Sequence, residues 1–456
     1  MNEVAAAVPV VLLERHGNVA VLVIDNPPVN ATSQVVRAGL LEAVQAVEAD
    51  ATLAGAVIAG AGRTFVAGAD IREFGRPIEE PSLPAVVAAI LASKKPFVAA
   101  IHGAALGGGF ELALACDARV ASKEAVVGLP EVGLGIIPGA GGTQHVPRIV
   151  GTIAAIDIIC SGRRIRAEEA LRMKLVDRIA TQDVRQEAID LVRSMQGLKQ
   201  RVSERAVRRE DPARIEEAAQ AALKAGRKRP QVVAAIESIR HAESEPYAEA
   251  MRAERAAFNQ LREGTEAAAL RYLFFAEREA ARVPDLEGVD PRPVARVAII
   301  GAGTMGGGIA IACADAGYEV TLTDRDDASV QRGLERVRKV YDGSVSSGRI
   351  DEAEARRRLS RIHPASSLAA TAEADLVIEA VFEDMGLKKE VFAQLDRIAR
   401  AGAILATNTS YLDVDEIAAA TGRPGDVLGM HFFSPANVMR LLEVVRAERT
   451  SREALA

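Results

Sequence analysis

The sequence predicts an α/β protein built from more than one domain. Short β-branched runs alternate with Ala/Leu-rich helical patterns up to about residue 185. Residues 186–285 carry helical periodicity and few strand formers. A Pro-rich joint near residue 292 is then followed by a fresh strand-and-helix pattern. At 456 residues the chain exceeds one ordinary core, so two or three domains are expected.

In the first region Val19–Ile24, 55–59, Phe97–Ile101 and Ala118–Ala121 read as strands, and 33–49 and 84–93 as helices. In the middle region the charges suit solvated helix faces, and Pro230 breaks one helix. The run 294–300 is an apolar strand that opens the last region. The apolar stretch 294–322 is Gly-rich and carries Arg296, Asp315 and Glu319, so it reads as a buried strand, turn and helix and not as a membrane span. Residues 1–14 have no cationic segment ahead of an apolar run and do not read as a signal peptide.

Composition narrows the function classes. The chain is 49% hydrophobic and 26% charged, which suits a globular protein. The net charge is −6, there are only 11 Phe and 5 Tyr, and no basic tract with interleaved aromatics stands out, so nucleic acid is not an expected partner. Cys116, Cys160 and Cys313 lie far apart, without metal-ligand spacing or an even-numbered disulfide framework, which fits a reducing compartment and no metal site.

Three segments of the first region carry chemistry. They are Phe65-Val-Ala-Gly-Ala-Asp70, the run from His102 through Gly107-Gly108-Gly109 to Asp117, and the run from Gly128 through Pro130-Glu131 to Thr143. Three consecutive glycines cost backbone entropy, which is tolerated where backbone approaches a ligand or where a helix packs closely on a strand. Here they precede a helical run over 110–115. The first N–H groups of a helix are unpaired and sit at the positive end of its dipole, a natural place for a developing oxyanion. Glu111 lies in that first turn, where acids are favoured in any case; Glu131 follows Pro130 in a Gly-rich loop, where an exposed acid would be unremarkable. Together, beside an oxyanion site, they form a candidate acid/base pair with coupled titration.

These segments resemble the crotonase (enoyl-CoA hydratase/isomerase) superfamily over roughly residues 10–185, most closely the hydratase half of the multifunctional β-oxidation enzymes. The resemblance implies a spiral ββα domain over 1–190. It implies an oxyanion hole from the amides of Ala69 and Gly108, with Glu111 and Glu131 flanking the substrate double bond. The reaction implied is syn addition of water to a trans-2-enoyl-CoA, Glu111 taking the proton of water and Glu131 protonating the α-carbon. The same pair could shift a double bond in 3-enoyl-CoA, so Δ3-Δ2-enoyl-CoA isomerisation is a second expected activity. Isomerisation alone, or thioester hydrolysis, is the alternative on this fold, and the presence of both glutamates argues against it.

The last region begins Arg296-Val-Ala-Ile-Ile300 and continues Gly301-Ala-Gly303-Thr-Met-Gly306 into a helix over 307–316. A second strand, Glu319–Thr323, ends at Asp324, 18 residues after Gly306. Strand, G-x-G-x-x-G, helix, strand and acid form the dinucleotide fingerprint of a Rossmann doubly wound parallel sheet. Gly301 suits the tight turn, Gly303 the approach to the pyrophosphate and Gly306 helix packing, while Asp324 suits ribose hydroxyls and disfavours a 2′-phosphate. NAD is therefore the expected cofactor.

Downstream, Asp375–Glu383, Thr407-Asn-Thr-Ser410 and Gly429-Met-His431 through Glu443 resemble 3-hydroxyacyl-CoA dehydrogenase. The resemblance implies that His431 accepts a proton and Glu443 orients it, that Ser410 contacts substrate, and that Glu383 and Lys388 lie near the cofactor ribose. Imidazole is the appropriate base for a hydroxyl proton while hydride leaves for nicotinamide. The family continues past the position of Ala456 into a helical domain that closes over the acyl chain, so NAD-dependent oxidation is expected of an intact protein and not of residues 293–456 alone. Leu270–Glu279 resembles the helix joining the two halves, giving a helical segment over 191–292 in which Phe274 and Phe275 are expected to pack on the hydratase core and Arg278 is a candidate CoA contact. The resemblance further implies acyl-CoA thioester substrates, a monomer, a thiolase as candidate partner, and a cytoplasmic or, in a eukaryote, peroxisomal location. A non-enzymatic alternative, an NAD- or acyl-CoA-binding interaction subunit, remains open for residues 293–456.

Overall fold

The computed structural model of the chain describes residues 9–280 and 282–456, so the reading of residues 1–14 falls largely outside the described residues. The chain divides into two compact units, Met1–Ala281 and Arg282–Ala456. No helix among the described residues is long and apolar enough to cross a membrane.

The first unit carries β1 (Val11–His16), β2 (Val19–Ile24), β3 (Gly55–Gly60), β4 (Phe97–Ile101), β5 (Ala104–Leu106), β6 (Ala118–Ala121), β7 (Val126–Gly128), β8 (Ile165–Arg166) and β9 (Arg178–Ile179). The larger sheet has the order β1-β2-β3-β4-β6-β9; β1 runs antiparallel to β2 and the other pairs are parallel. Every residue of β2, β3 and β4 is buried, as parallel strands covered on both faces must be. Alternate residues go to opposite faces. Ala20, Leu22, Ile24, Ile58 and Ile101 join the main core, while Val19, Val21, Val57 and Val98 meet Ala188, Ile189 and Val192 of the helix Val184–Ser194. A small sheet, β5-β7-β8, stands beside the larger one. It escaped sequence reading because strands of two or three residues carry no measurable period, and the six-residue β1 was missed as well.

The predicted helices are present with shifted starts: Gln34–Ala49 with Ser33 as N-cap, Leu83–Ala92, and Gly108–Ala115, which takes in two of the three glycines. The helical region folds as Pro212–Ala225, Pro230–Ser244, Tyr247–Arg262 and Thr265–Ala280. Two of these open on proline, where the missing N–H costs nothing. The expectation for Phe275 is corrected. It is 40% exposed, as are Tyr272 and Leu273 to a greater degree. Only the start of that helix packs on the core, with Ala267 buried beside Gly135. Arg278 stacks over the Phe274 ring at 3.7 Å.

The second unit carries β10 (Arg296–Ile300), β11 (Glu319–Thr323), β12 (Ile362–Ala365), β13 (Leu376–Glu379), β14 (Ile404–Thr407), β15 (Val427–Phe432) and β16 (Leu442–Val445). The sheet order is β12-β11-β10-β13-β14-β15-β16, parallel except for β16 against β15. The order reverses between β10 and β13, which makes the crevice at their carboxyl ends the expected ligand site. The Pro-rich joint belongs to this unit: Arg292 pairs with Asp426 at 2.7 Å, and Arg452 binds the carbonyl of Asp285.

At the end of β13, Glu379 is wholly buried. It accepts from Lys388 Nζ at 2.8 Å, from the Val381 amide at 2.8 Å and from the Thr407 hydroxyl at 2.7 Å. Breaking such a pair strands a charge. Lys388→Met is therefore expected to lower stability by about 3–5 kcal/mol in urea unfolding of this unit, and Glu379→Gln added to it should restore part of the loss; an unchanged urea midpoint for the single variant would show that the pair is immaterial.

Candidate active sites

In the first unit a cavity of about 380 Å³ is lined by Ala69, Gly108, Glu111 and Glu131 together. They arrive from separate segments. Val66 bridges to Ala105 of β5, which sets the 66–70 loop beside the glycine run. Gly109 then lies so close to this loop that a Cβ there would stand 2.2 Å from the Val66 carbonyl oxygen. The close approach is a packing requirement, and it carries Gly108 to the cavity. A Cβ built on Gly108 would lie 3.8 Å from the Ala69 nitrogen, so the two amides are neighbours. Neither has an acceptor among the described residues. They form a pair of free donors at a helix start.

Glu111 and Glu131 are both buried. Glu111 Oε1 accepts from the Ala140 amide at 2.7 Å and the Gly142 amide at 2.9 Å. Burial pushes this carboxyl up, and the two amides and the charge of Arg255 pull against it. Glu131 opens a short 3₁₀ turn, Glu131–Leu134. Burial, and then the charge of Glu111, push its carboxyl well above the ordinary range. Its Oε2 is buried with no hydrogen-bond partner. Two buried carboxyls, one pushed well above the ordinary range with an unused oxygen and one held by two amides, thus face one cavity.

Several lining residues escaped sequence reading. Arg255, Phe258 and Arg262 come from the helix Tyr247–Arg262, which carries no recognisable motif and reads as a solvated amphipathic helix. Thr32 also lines the cavity, with its hydroxyl buried and unpartnered. Arg37 braces the rim, donating to Thr32 O at 2.8 Å, Glu73 Oε2 at 2.6 Å and Pro81 O at 2.7 Å.

In the second unit a cleft of about 1080 Å³ lies beyond β10 and β13. Gly301 has φ +99°, a conformation that favours glycine. A Cβ at Gly306 would fall 1.7 Å from the Gly301 carbonyl oxygen, whereas one at Gly303 would meet open space. The helix Thr304–Ala316 starts here, three residues before the sequence reading placed it, and points its N-terminus at the cleft. Asp324 lines the cleft at the end of β11; its carboxylate accepts from the amides of Ala302 at 2.7 Å and Arg325 at 2.8 Å, which fixes it across the glycine turn. These features fit a dinucleotide.

His431 on β15 stands directly opposite Glu443 on β16. Its Nδ1 lies 2.7 Å from Glu443 Oε2. Asn408 holds the strand in place by accepting from the Phe432 amide at 2.9 Å. Glu383 is raised by partial burial, but the Thr409 hydroxyl, the Ser410 amide and the Lys388 charge outweigh this and hold it below the ordinary range. Ser410 is exposed, and its amide donates to Glu383 at 2.7 Å. Lys388 is wholly buried and does not line the cleft; its amine lies between Glu379 and Glu383, 3.4 Å from the latter.

Comparison with known proteins follows the same division. Residues 14–229 match the family described as enoyl-CoA hydratase/isomerase, and residues 296–456 match the 3-hydroxyacyl-CoA dehydrogenase NAD-binding domain. The chain is 40% identical to the peroxisomal bifunctional enzyme of Danio rerio over 455 residues and 41% identical to that of Homo sapiens over 460, covering 96% and 97% of this chain. It is 35% identical over 448 residues to the fatty acid oxidation complex subunit alpha of Pseudomonas putida (strain GB-1), covering 94% of this chain. The chain spans 62% of the length of the first two relatives and 63% of the third. The chain therefore joins an enoyl-CoA hydratase/isomerase domain to the NAD-binding domain of the 3-hydroxyacyl-CoA dehydrogenase family, and its homologues are peroxisomal bifunctional enzymes and fatty acid oxidation subunits.

Proposed function

We propose that the first unit hydrates trans-2-enoyl-CoA thioesters and that the second binds NAD for oxidation of the 3-hydroxyacyl-CoA product. The observation that carries this reading is the asymmetry of the two carboxyls beside the free amides of Ala69 and Gly108. Glu111, held by two amides, is suited to be the base; Glu131, neutral and with an unpaired oxygen, is suited to be the acid. Glu111 takes a proton from water as the water oxygen bonds to C3. The C2=C3 electrons move toward the thioester oxygen, where the two amides stabilise the charge. Glu131 delivers its proton to C2 as the enolate collapses. The same two groups moving a proton between C2 and C4 would isomerise a 3-enoyl-CoA.

In the second unit the bond to Glu443 fixes the Nδ1–H tautomer of His431 and leaves Nε2 as the proton acceptor for the 3-hydroxyl. NAD, bound there, would supply the acceptor for the hydride from C3. Gly301, Gly303 and the helix start would hold its pyrophosphate, and Asp324 its adenosine ribose. Glu383, with Lys388 behind it, would lie near the cofactor ribose, and Ser410 would contact substrate. The domain limits that fit this division are 1–190, 191–292 and 293–456. The reading includes a monomer, a thiolase that consumes the 3-ketoacyl-CoA product, and a cytoplasmic or peroxisomal location, the last in keeping with the relatives named peroxisomal bifunctional enzyme.

Mixed with a short trans-2-enoyl-CoA, the protein is expected to abolish the ultraviolet absorbance of the conjugated thioester. Glu111→Gln and Glu131→Gln should each slow hydration by roughly 100- to 10,000-fold with acyl-CoA affinity nearly unchanged; parental rates in both would remove the acid/base assignment. Asp324→Ala should weaken NAD binding about 10-fold or more in calorimetric titration and narrow the preference over NADP; equal affinity for parent and variant would refute the ribose contact.

A further inference from the structure

The four amides of the turn Ala140–Thr143 are shared between two carboxylates. Those of Ala140 and Gly142 donate to Glu111 Oε1. Those of Gly141 and Thr143 donate to Glu254, at 2.7 Å to Oε1 and 3.0 Å to Oε2. The Thr143 hydroxyl also donates to Glu254 Oε2 and lies 2.6 Å from Ser238 Oγ. Glu254 is wholly buried, yet it comes from the helix Tyr247–Arg262, outside the stretch that matches the hydratase family.

A second buried carboxyl next to a catalytic one is costly. Desolvation and like-charge repulsion both oppose it. A threonine or an amide could satisfy part of the same turn with neither cost. What a carboxylate adds is competition. It occupies two amides that would otherwise be free to stabilise a carboxylate at Glu111. Glu111 is left with two donors on one oxygen, and its Oε2 accepts no hydrogen bond among the described residues. A base over-stabilised by four amides would take a proton from water poorly.

We propose that Glu254 is a positioning residue for hydration: it divides the 140–143 turn with Glu111, fixes the orientation of that base and keeps it proton-seeking. This rests on the hydration reading given above. Glu131 and Glu254 both lie near Glu111, whose charge pushes each of them up, and the charge of Arg255 pulls Glu111 down. Tyr247 and Arg255 are the other titratable groups set against Glu254. Burial, and then the Glu111 charge, push Glu254 up to about 8.

The test uses the full chain with a trans-2-enoyl-CoA. In Glu254→Gln, kcat should fall roughly 10- to 100-fold with KM within about threefold of parent. The acid limb of kcat/KM, which reports the free base, should move down by about half to one pH unit as the amides of Gly141 and Thr143 are released toward Glu111. Glu254→Asp should restore the parental limb. Should Glu254→Gln fail to fold, Thr143→Val, which removes one donor from Glu254 and so loosens its hold on the turn, should shift the limb in the same direction. A variant whose limb stays at the parental pH, whatever its melting temperature, shows a purely structural residue and overturns the proposal while leaving hydration intact. A parent that does not hydrate the substrate overturns both.

Discussion

The first unit is organised around the cost of burying acid. Glu111, Glu131 and Glu254 lie within one domain core, each almost wholly removed from water. Arg255 is the nearest cation, and the rest of the compensation comes from the backbone: the amides of Ala140–Thr143 and the start of the helix they open. Fixed peptide dipoles compensate without the mobility of a side-chain cation and without neutralising the acid/base pair outright. That arrangement demands glycine-rich backbone at 139–142, close packing against the helix Tyr247–Arg262, and a cavity narrow enough to exclude bulk water.

The second unit solves a similar problem differently. Its buried acid, Glu379, is met by a full countercharge from Lys388 and by a hydroxyl and an amide. The pair sits at the end of β13, beside the reversal of strand order. Lys388 also reaches toward Glu383, so the interior network ends at a carboxylate on the cleft side. The glycine turn is tied to the neighbouring strand end through Asp324, which bonds the Ala302 amide.

Much of this was legible in the sequence, for reasons that differ by element. β2, β3 and β4 announced themselves because wholly buried parallel strands are unbroken apolar runs. The nucleotide loop was legible because each glycine answers to a separate geometric demand. Glu111, Glu131, Ala69 and Gly108 could be named because their segments resemble a known superfamily; their convergence on one cavity came only with the fold. Glu254 was invisible, since an acid on an Ala/Glu/Arg helix looks solvated and only the three-dimensional packing buries it. The exposure of Phe275 went against hydrophobic expectation because the helix is anchored at its first turn and not along its length. Lys388 resembled a cofactor neighbour by motif, but the depth of its side chain is a property of packing that spacing does not encode.

His431 is carried on a two-stranded antiparallel ribbon at the margin of the sheet, in direct cross-strand register with Glu443. Side chains alternate along a strand, so a slip of one residue would send Glu443 to the other side of the ribbon while leaving the backbone ladder nearly as well formed. The connecting loop between β15 and β16 is therefore a ruler. Its length fixes which tautomer the imidazole adopts, and indels in it are far more damaging than substitutions.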